Sequence, residues 1–306
     1  MLIHTWPAEL LQVPSDMAIV TACEQQSIIT ETSYNCLVYP SRDYPIAFVK
    51  YSPKKLNIKE EMRNQTFAFE ELEKLQPHER NGIRIPQIYR VIEKDEIIYI
   101  VMEYVAGTTL TDLRANDSLA SEQQKWYDQI AKAIALFLAF DIPDQSPPGP
   151  VRGGIIKHPL FKDTVASLKY ESVKHLQEHL TRVANCPNNN NLRIDFTGEA
   201  ICFCFADLYE GNFMFTDTNS LYIVDFHHAA FLPTSFMTYA LDQPRPVCAA
   251  IRNRFPLPYN NLDAMRVAGY YFMMSSGKVG LCLDGEDSKA RKGKGRVRHI
   301  FTQHPG

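Results

Sequence analysis

The chain has 306 residues, 45% of them hydrophobic and 22% charged, with a formal net charge of −3. That length suffices for one large domain or for two lobes with a real core, and the composition excludes a disordered, collagenous or disulfide-dense protein. The mild acidity argues against a folded body built to bind nucleic acid. In chain order, "MLIHTWPAELLQVPSDM" has no basic region followed by an apolar run and a small-residue cleavage site, so it does not read as a signal peptide. Residues 1–26 read as short helices, with Pro7 opening one and Ser15 or Asp16 capping another. "SIITETSYNCLVYP" and "PIAFVKY" are rich in β-branched and aromatic residues around a polar turn and read as strands. The charged run "SPKKLNIKEEMRNQ" leads into a helix on which Phe69, Leu72 and Leu75 recur at helical spacing. "IRIPQIYRVIEKDEIIYIVMEYV" supplies two more strands about a charged turn at Glu93–Glu96.

After Gly107 the pattern changes. "SEQQKWYDQIAKAIALFLAF" reads as a capped amphipathic helix with Trp126, Ile130, Ile134 and Phe137 on one face. The stretch from Ile130 to Phe140 is a buried helix, because no run reaches about 18 uninterrupted apolar residues and no membrane span is expected. "DIPDQSPPGPVRGG" is a loop by its Pro and Gly content, a second helix starts at Ser172, and "NCPNNNN" is a loop tip. Strands are expected at 200–205, 212–216 and 221–226, and weaker helices over 233–280. Of seven scattered cysteines, Cys202 and Cys204 alternate in an apolar strand and read as small core side chains. No CxxC pair signals zinc, and a reducing compartment, the cytoplasm, fits best. Strands around one helix, a short connector near Glu103–Gly107, then helices with inserted strands predict an α+β, bilobal fold. The expected divisions are a small β-rich N-terminal lobe with leading helices over 1–104, a larger, mainly helical lobe over 105–283, and a disordered polar tail over 284–306.

The chemistry concentrates in "FADLYEGNFMFTDTNSLYIVDF". Kinase catalytic loops place an Asn five residues after an Asp, as Asn212 follows Asp207 here. The Asp accepts the proton of an attacking hydroxyl, while the Asn turns a carbonyl oxygen to magnesium, a hard cation that favours oxygen ligands. Asp225 ends the strand "LYIV", where a carboxylate reaches the same metal from the next hairpin arm, with "TDTNS" as the turn. Alone, each of the three reads more readily as a turn residue or strand-end cap than as a site residue; their order and spacing together favour the site. Lys50 closes "IAFVK". It can snorkel at a sheet edge, or it can contact the α- and β-phosphates as a strand lysine does in kinases. "YIVMEYVAG" resembles a kinase hinge, in which the Glu103 carbonyl and Val105 amide bind adenine beside Met102.

Together these segments resemble the aminoglycoside phosphotransferase-like branch of the protein-kinase-like fold, in the form common among fungal sequences. The matching features are Lys50, "IPQIYRVIE" with "YIVMEYVAGTTL", "FADLYEGNFMF" and "IVDFHHAAFLP". The last two parallel the family's "HGDLxxxN" and "IIDWExAGxxP". The resemblance spans roughly residues 25–245 and implies Mg-ATP as cofactor, Asp207 as catalytic base, and Asn212 with Asp225 as metal ligands. Against the family pattern, Phe205 stands in place of His and Ala206 in place of Gly. Phe205 keeps the packing of that His and loses its hydrogen bond. His227 or His228 replaces the acidic residue after Asp225. The phosphate turn "TETSYNC" has no Gly, although Ser33 and Asn35 resemble the family's Ser-x-Asn turn. The acidic partner of Lys50 stays open: register against Leu72 and Leu75 falls on Ala68, Gln65 and Glu61 share that stripe, and Glu70 and Glu71 lie off it.

The expected activity is transfer of the γ-phosphoryl group of ATP to a hydroxyl of a small molecule, in a pocket between the 141–162 loop and the helices after 233. The alternative is a pseudokinase, a nucleotide-binding or scaffold protein with little turnover, favoured by Phe205, the Gly-free phosphate turn and the missing Glu partner of Lys50. Two further motifs carry bland readings. "HLQEH" fits an inverted zinc-protease pattern, but His175 and His179 flank an apolar helical face and can simply be solvated. The basic run "KARKGKGRVR" fits a solvated tail or a nuclear address.

Overall fold

The computed structural model describes residues 14–26, 34–54, 57–186, 191–275 and 279–280. The helix opened by Pro7, the start of the first strand run with Ser33, the loop tip at 187–190 and the basic tail lie outside the described residues. The first lobe runs α1 (Asp16–Gln26), β1 (Asn35–Pro40), β2 (Pro45–Pro53), α2 (Ile58–Lys74), α3 (Pro77–Arg80), β3 (Ile83–Arg84), β4 (Ile88–Lys94) and β5 (Ile97–Glu103). Strands β1, β2, β5 and β4 form an antiparallel sheet in that order. Its charged turn places Asp95 and Glu96 at φ 47° and 64°, the pair of positive angles that a tight two-residue hairpin requires.

Strand periodicity sorts the sheet into two faces. Ala47, Val49 and Tyr51 on β2, with Tyr99 and Val101 on β5, pack beneath Ile19, Val20 and Cys23 of α1. The opposite face carries Phe48, Ile98, Ile100 and Met102 with Ile58 of α2. Lys50 belongs to this second face by parity, directly across from Ile100. The alternation that buries Val49 and Tyr51 therefore turns Lys50 toward α2 rather than toward α1.

Residues 104–107 lead to the second lobe. It contains β6 (Thr108–Thr109), α4 (Leu110–Arg114), α5 (Gln123–Leu138), α6 (Val173–Ala184), β7 (Ile201–Phe205), β8 (Phe213–Phe215), β9 (Leu221–Ile223), β10 (Ala229–Pro233), α7 (Thr234–Leu241), α8 (Pro246–Ile251) and α9 (Leu262–Met274). Gly107 is required by proximity, since a Cβ there would sit 2.9 Å from the Phe215 carbonyl oxygen. A small sheet orders β3, β9, β8 and β6. Because β3 pairs parallel with β9, a strand from the first lobe is stitched into the second. This strand, β6 and β10 were not expected from the sequence.

The core of the second lobe is aromatic. Phe137 of α5 lies 5.8 Å from Phe205 and 5.9 Å from Phe203, and Phe67 of α2 lies 5.0 Å from Phe231. Trp126, Ile130, Ile134 and Phe137 are all buried, as the helical periodicity requires. The start of α5 differs from expectation. Residues Asp117–Glu122 wind into a 3-10 helix capped by Asn116, whose side chain accepts from the Ser118 amide at 3.1 Å. Ser121 therefore lies inside helical structure and does not cap α5. The HLQEH histidines also differ: His179 is buried, taking the Tyr170 hydroxyl at 2.7 Å on Nδ1 and facing the Val279 carbonyl at 2.8 Å through Nε2. It is a satisfied core side chain, not a solvated one.

Candidate active site

Two local structures present the carboxylates. The 3-10 turn Glu210–Asn212 follows β7 and precedes β8. Within it the Asn212 Nδ2 donates to the Asp207 carbonyl at 3.0 Å. This bond spends the amide nitrogen on the loop and turns the carboxamide oxygen away from it. Asp225 does not end a strand as expected. β9 stops at Ile223, and Asp225 stands two residues beyond at φ 62°, ψ 76°, a left-handed conformation that short polar side chains tolerate. It caps the turn Phe226–His228, its Oδ1 accepting from the His227 amide at 3.4 Å. The Val224 amide donates to the Asn212 carbonyl at 3.0 Å, which fixes the two arms of the hairpin side by side.

Lys50 meets this hairpin from the first lobe. Its Nζ lies 3.3 Å from Asp225 Oδ1 and 2.7 Å from Glu61 Oε1. Glu61 is thus the acidic partner that sequence register left among several positions; Glu71 pairs with Lys74 instead. Burial pulls the Lys50 pKa down, but the Glu61 and Asp225 charges outweigh it and hold the ammonium well above its ordinary range. Burial likewise pushes Glu61 up, and Lys50 and His227 more than reverse this, to about 2. His227 Nδ1 stands 3.6 Å from Glu61 Oε2 and 3.5 Å from Lys157 Nζ. Lys157, close to Glu60 at 3.7 Å, is pulled down by burial against the neighbouring Glu60 and Glu61.

The Asp207 carboxylate is contacted on both oxygens. Arg245, just before α8, places Nη1 2.5 Å from Oδ1, and His228 Nδ1 lies 3.7 Å from Oδ2. Burial lowers the His228 pKa, with Asp207 opposing. At the connector, the Glu103 amide donates to the Gln87 carbonyl at 2.8 Å, and its carboxylate accepts from the Tyr222 hydroxyl at 2.8 Å. The Val105 carbonyl takes the Gly107 amide at 3.1 Å. Lys50 therefore touches both Glu61 and Asp225, the Asp207 backbone carbonyl holds Asn212, and the Val224 bond joins the two groups. Sequence reasoning missed Arg245, Lys157 and the contact of His227 with Glu61; none of these carries a local motif.

A family model described as "Phosphotransferase enzyme family" matches residues 51–234, more than half of the chain. The chain belongs to this family. No curated protein is similar enough to serve as a relative. Among solved structures, the apo form of a thermostable mutant of aminoglycoside phosphotransferase APH(4)-Ia is similar at TM-score 0.49 and 12% identity, over 85% of this chain and 88% of that one. The amicoumacin kinase hAmiN, in complex with AMP-PNP, Ca2+ and Ami, is similar at TM-score 0.47 and 12% identity, over 84% and 83%.

As a phosphotransferase-family chain with Phe where the resemblance expects His, the protein fills the space with aromatic packing. Phe205 is 1% exposed and stands 5.2 Å from Phe226 and 6.2 Å from Phe213. Those two rings flank Asp225 and Asn212 in sequence, so the cluster stiffens the backbone that presents both. The Asn212 carboxamide oxygen and the Asp225 carboxylate offer oxygen donors of the kind that could hold a divalent hard cation. Among the described residues, no group of three or more His, Cys, Asp or Glu is placed to hold a metal by itself. No described helix is long and apolar enough to cross a membrane.

Proposed function

We propose that this family member transfers the γ-phosphoryl group of Mg-ATP to a hydroxyl of a small molecule. The observation that carries the reading is that Lys50, paired with Glu61 within the first lobe, also reaches Asp225 in the second. A half-buried lysine held charged between two carboxylates is a preformed cation for phosphate oxygens. Glu61 fixes its direction, and Asp225 shares it with the metal position. Glu103 and Val105 bind adenine at the connector through the Glu103 carbonyl and the Val105 amide. Asn212 and Asp225 would hold magnesium, which would supply charge neutralisation for the transferring group.

Asp207 orients the acceptor hydroxyl and takes its proton. Oδ1 is held by Arg245, which leaves Oδ2, on the His228 side, as the proton acceptor. The Arg245 guanidinium also bears on the acceptor. A fixed positive charge beside the base disfavours an acceptor whose reacting hydroxyl neighbours an ammonium group. Positioning and electrostatics supply most of the rate in this reaction class.

A second reading, nucleotide binding with little turnover, draws on the same Arg245 contact, because one of the two Asp207 oxygens is already engaged by a guanidinium and is not free to meet an acceptor hydroxyl. Consumption of ATP with panels of neutral, anionic and amine-bearing alcohols separates the two. Asp207→Asn is expected to lower acceptor-dependent turnover by about 10²–10⁴-fold while Mg-ATP still raises the melting temperature. A variant as active as the parent removes the enzyme reading, and no melting shift at millimolar Mg-ATP removes both.

A further inference from the structure

Three residues beyond Glu61 on α2, Asn64 is completely buried and uses its whole carboxamide. Its Nδ2 donates to the Phe226 carbonyl at 3.1 Å and to the Ala229 carbonyl at 2.7 Å. Its Oδ1 accepts from the Val151 amide at 2.9 Å. The first two carbonyls bracket the turn that Asp225 caps; the third contact belongs to the loop after α5. Arg63 completes the grip from the neighbouring position. Its Nε donates to the Val151 carbonyl at 2.8 Å, and Nη2 to the Gly153 carbonyl at 3.2 Å. Both polar groups of Val151 are thus held by consecutive residues of α2. The loop runs so close that a Cβ on Gly154, whose φ is +152°, would overlap the Glu60 carboxylate.

We propose that Asn64 is a positioning residue that clamps α2 to the second lobe, so that the Lys50–Glu61 pair stands formed before any nucleotide arrives. A helix carrying a charged partner for a strand lysine can ordinarily rock on its hydrophobic face, because apolar contacts are non-directional. Here the face is directional. Glu61 and Asn64 lie on one stripe, one turn apart, so three fixed hydrogen bonds at Asn64 set the height and rotation of Glu61. The same bonds set the start and end of the Asp225 turn, and therefore couple the lysine partner to the candidate metal ligand through a single side chain. A carboxamide suits this junction: it supplies two donors to two carbonyls and one acceptor to an amide, whereas a carboxylate can only accept and an aliphatic side chain can do neither.

The clamp itself stands on the hydrogen bonds; its consequence for phosphate binding rests on the phosphotransferase reading. The two are tested apart. Amide hydrogen exchange of the intact, nucleotide-free chain reads the clamp. Asn64→Ala is expected to speed exchange by about tenfold in 58–66, 149–154 and 226–229 together, with α5 and β7 unchanged. Asn64→Asp retains the acceptor for Val151 and loses both donors, so loosening confined to 226–229 and α2 is expected. Phe67→Ala, a core truncation on the same helix that leaves the three hydrogen bonds in place, is the control and is expected to speed exchange without that pattern. Exchange in Asn64→Ala no faster than in the parent, or faster evenly over the chain as in the control, overturns the clamp. The functional consequence is read by binding. Asn64→Ala is expected to weaken Mg-ATP about tenfold while adenosine, which lacks phosphates, binds as in the parent. Equal weakening of both ligands, or of neither, overturns the positioning role. Failure of the parent to bind Mg-ATP overturns the phosphotransferase reading and leaves the exchange result standing.

Discussion

At the scale of the residue, the decisive fact is that Lys50 and Glu61 depend on each other. The Glu61 side chain is 3% exposed and that of Lys50 17%, so neither charge is adequately solvated by water. Their attraction offsets a desolvation cost that each would otherwise bear alone. Lys50→Met leaves a buried carboxylate uncompensated and is expected to destabilise the fold by about 3–5 kcal/mol in urea unfolding. Asp225→Asn is expected to cost far less, because Asp225 is 40% exposed. The pH dependence carries the same signature. The folded-state pKa of Glu61, about 2, lies below its ordinary 4.5. Its contribution is therefore present above pH ~4.5 and lost as pH falls toward 2. In Lys50→Met that part of the acid dependence is expected to shrink or reverse. Lys50 was legible in the sequence from its place in an apolar strand. Glu61 was one of several positions on a stripe, and only the angle at which α2 crosses the sheet selects it.

At the scale of the element, amphipathic periodicity worked where the buried face is apolar. On α5 it identified four buried residues. On α2 it found the helix and the buried Leu72, with Phe69 and Leu75 half-buried against the core, but it did not reveal the polar part of the buried face: Glu60, Glu61, Asn64, Gln65 and Glu71. A hydrophobic pattern cannot reveal a face whose groups are satisfied by ion pairs and hydrogen bonds. Capping was equally mixed. Ser172 caps α6 as expected, its Oγ accepting from the His175 amide at 3.1 Å. Ser172→Ala is expected to cost about 1 kcal/mol, read as a lower melting temperature. Ser121 fails as a cap because Asn116, five residues upstream, already starts the helical winding. The two-residue strands β3 and β6 are too short for alternation to register, and β10 is buried at every position, so it shows no alternation at all.

At the scale of the whole molecule, the second lobe contains a pH-sensitive core. His158 is fully buried; its Nδ1 accepts from the Leu160 amide at 3.1 Å and its Nε2 faces the Phe236 carbonyl at 3.1 Å. That pattern is satisfied by the neutral ring. Burial pushes its pKa from 6.5 down to about 3, the Phe236 carbonyl opposing. Between these values the unfolded chain binds a proton that the folded chain refuses. Stability therefore falls as pH drops below about 6.5, by about 1.4 kcal/mol per pH unit for this group. His158→Gln is expected to flatten the slope of stability against pH between 6.5 and 5 by about one proton, as measured by denaturant titrations at several pH values.

What the sequence by itself determined is what short-range chemistry determines. The two sheet faces follow from alternation in β2 and β5. The Asp207–Asn212 loop closes on itself across five residues, and the hairpin that follows brings Asp225 back beside it. What only the tertiary structure decided are the contacts between distant segments. Glu61 was brought to Lys50 by the packing of α2 on the sheet within the first lobe, Arg245 to Asp207 by the packing within the second, and β3 to β9 by the meeting of the two lobes. The physical reason is that charge pairs and ladder hydrogen bonds are satisfied by whichever group the fold delivers within about 3 Å, and sequence spacing carries no information about that delivery.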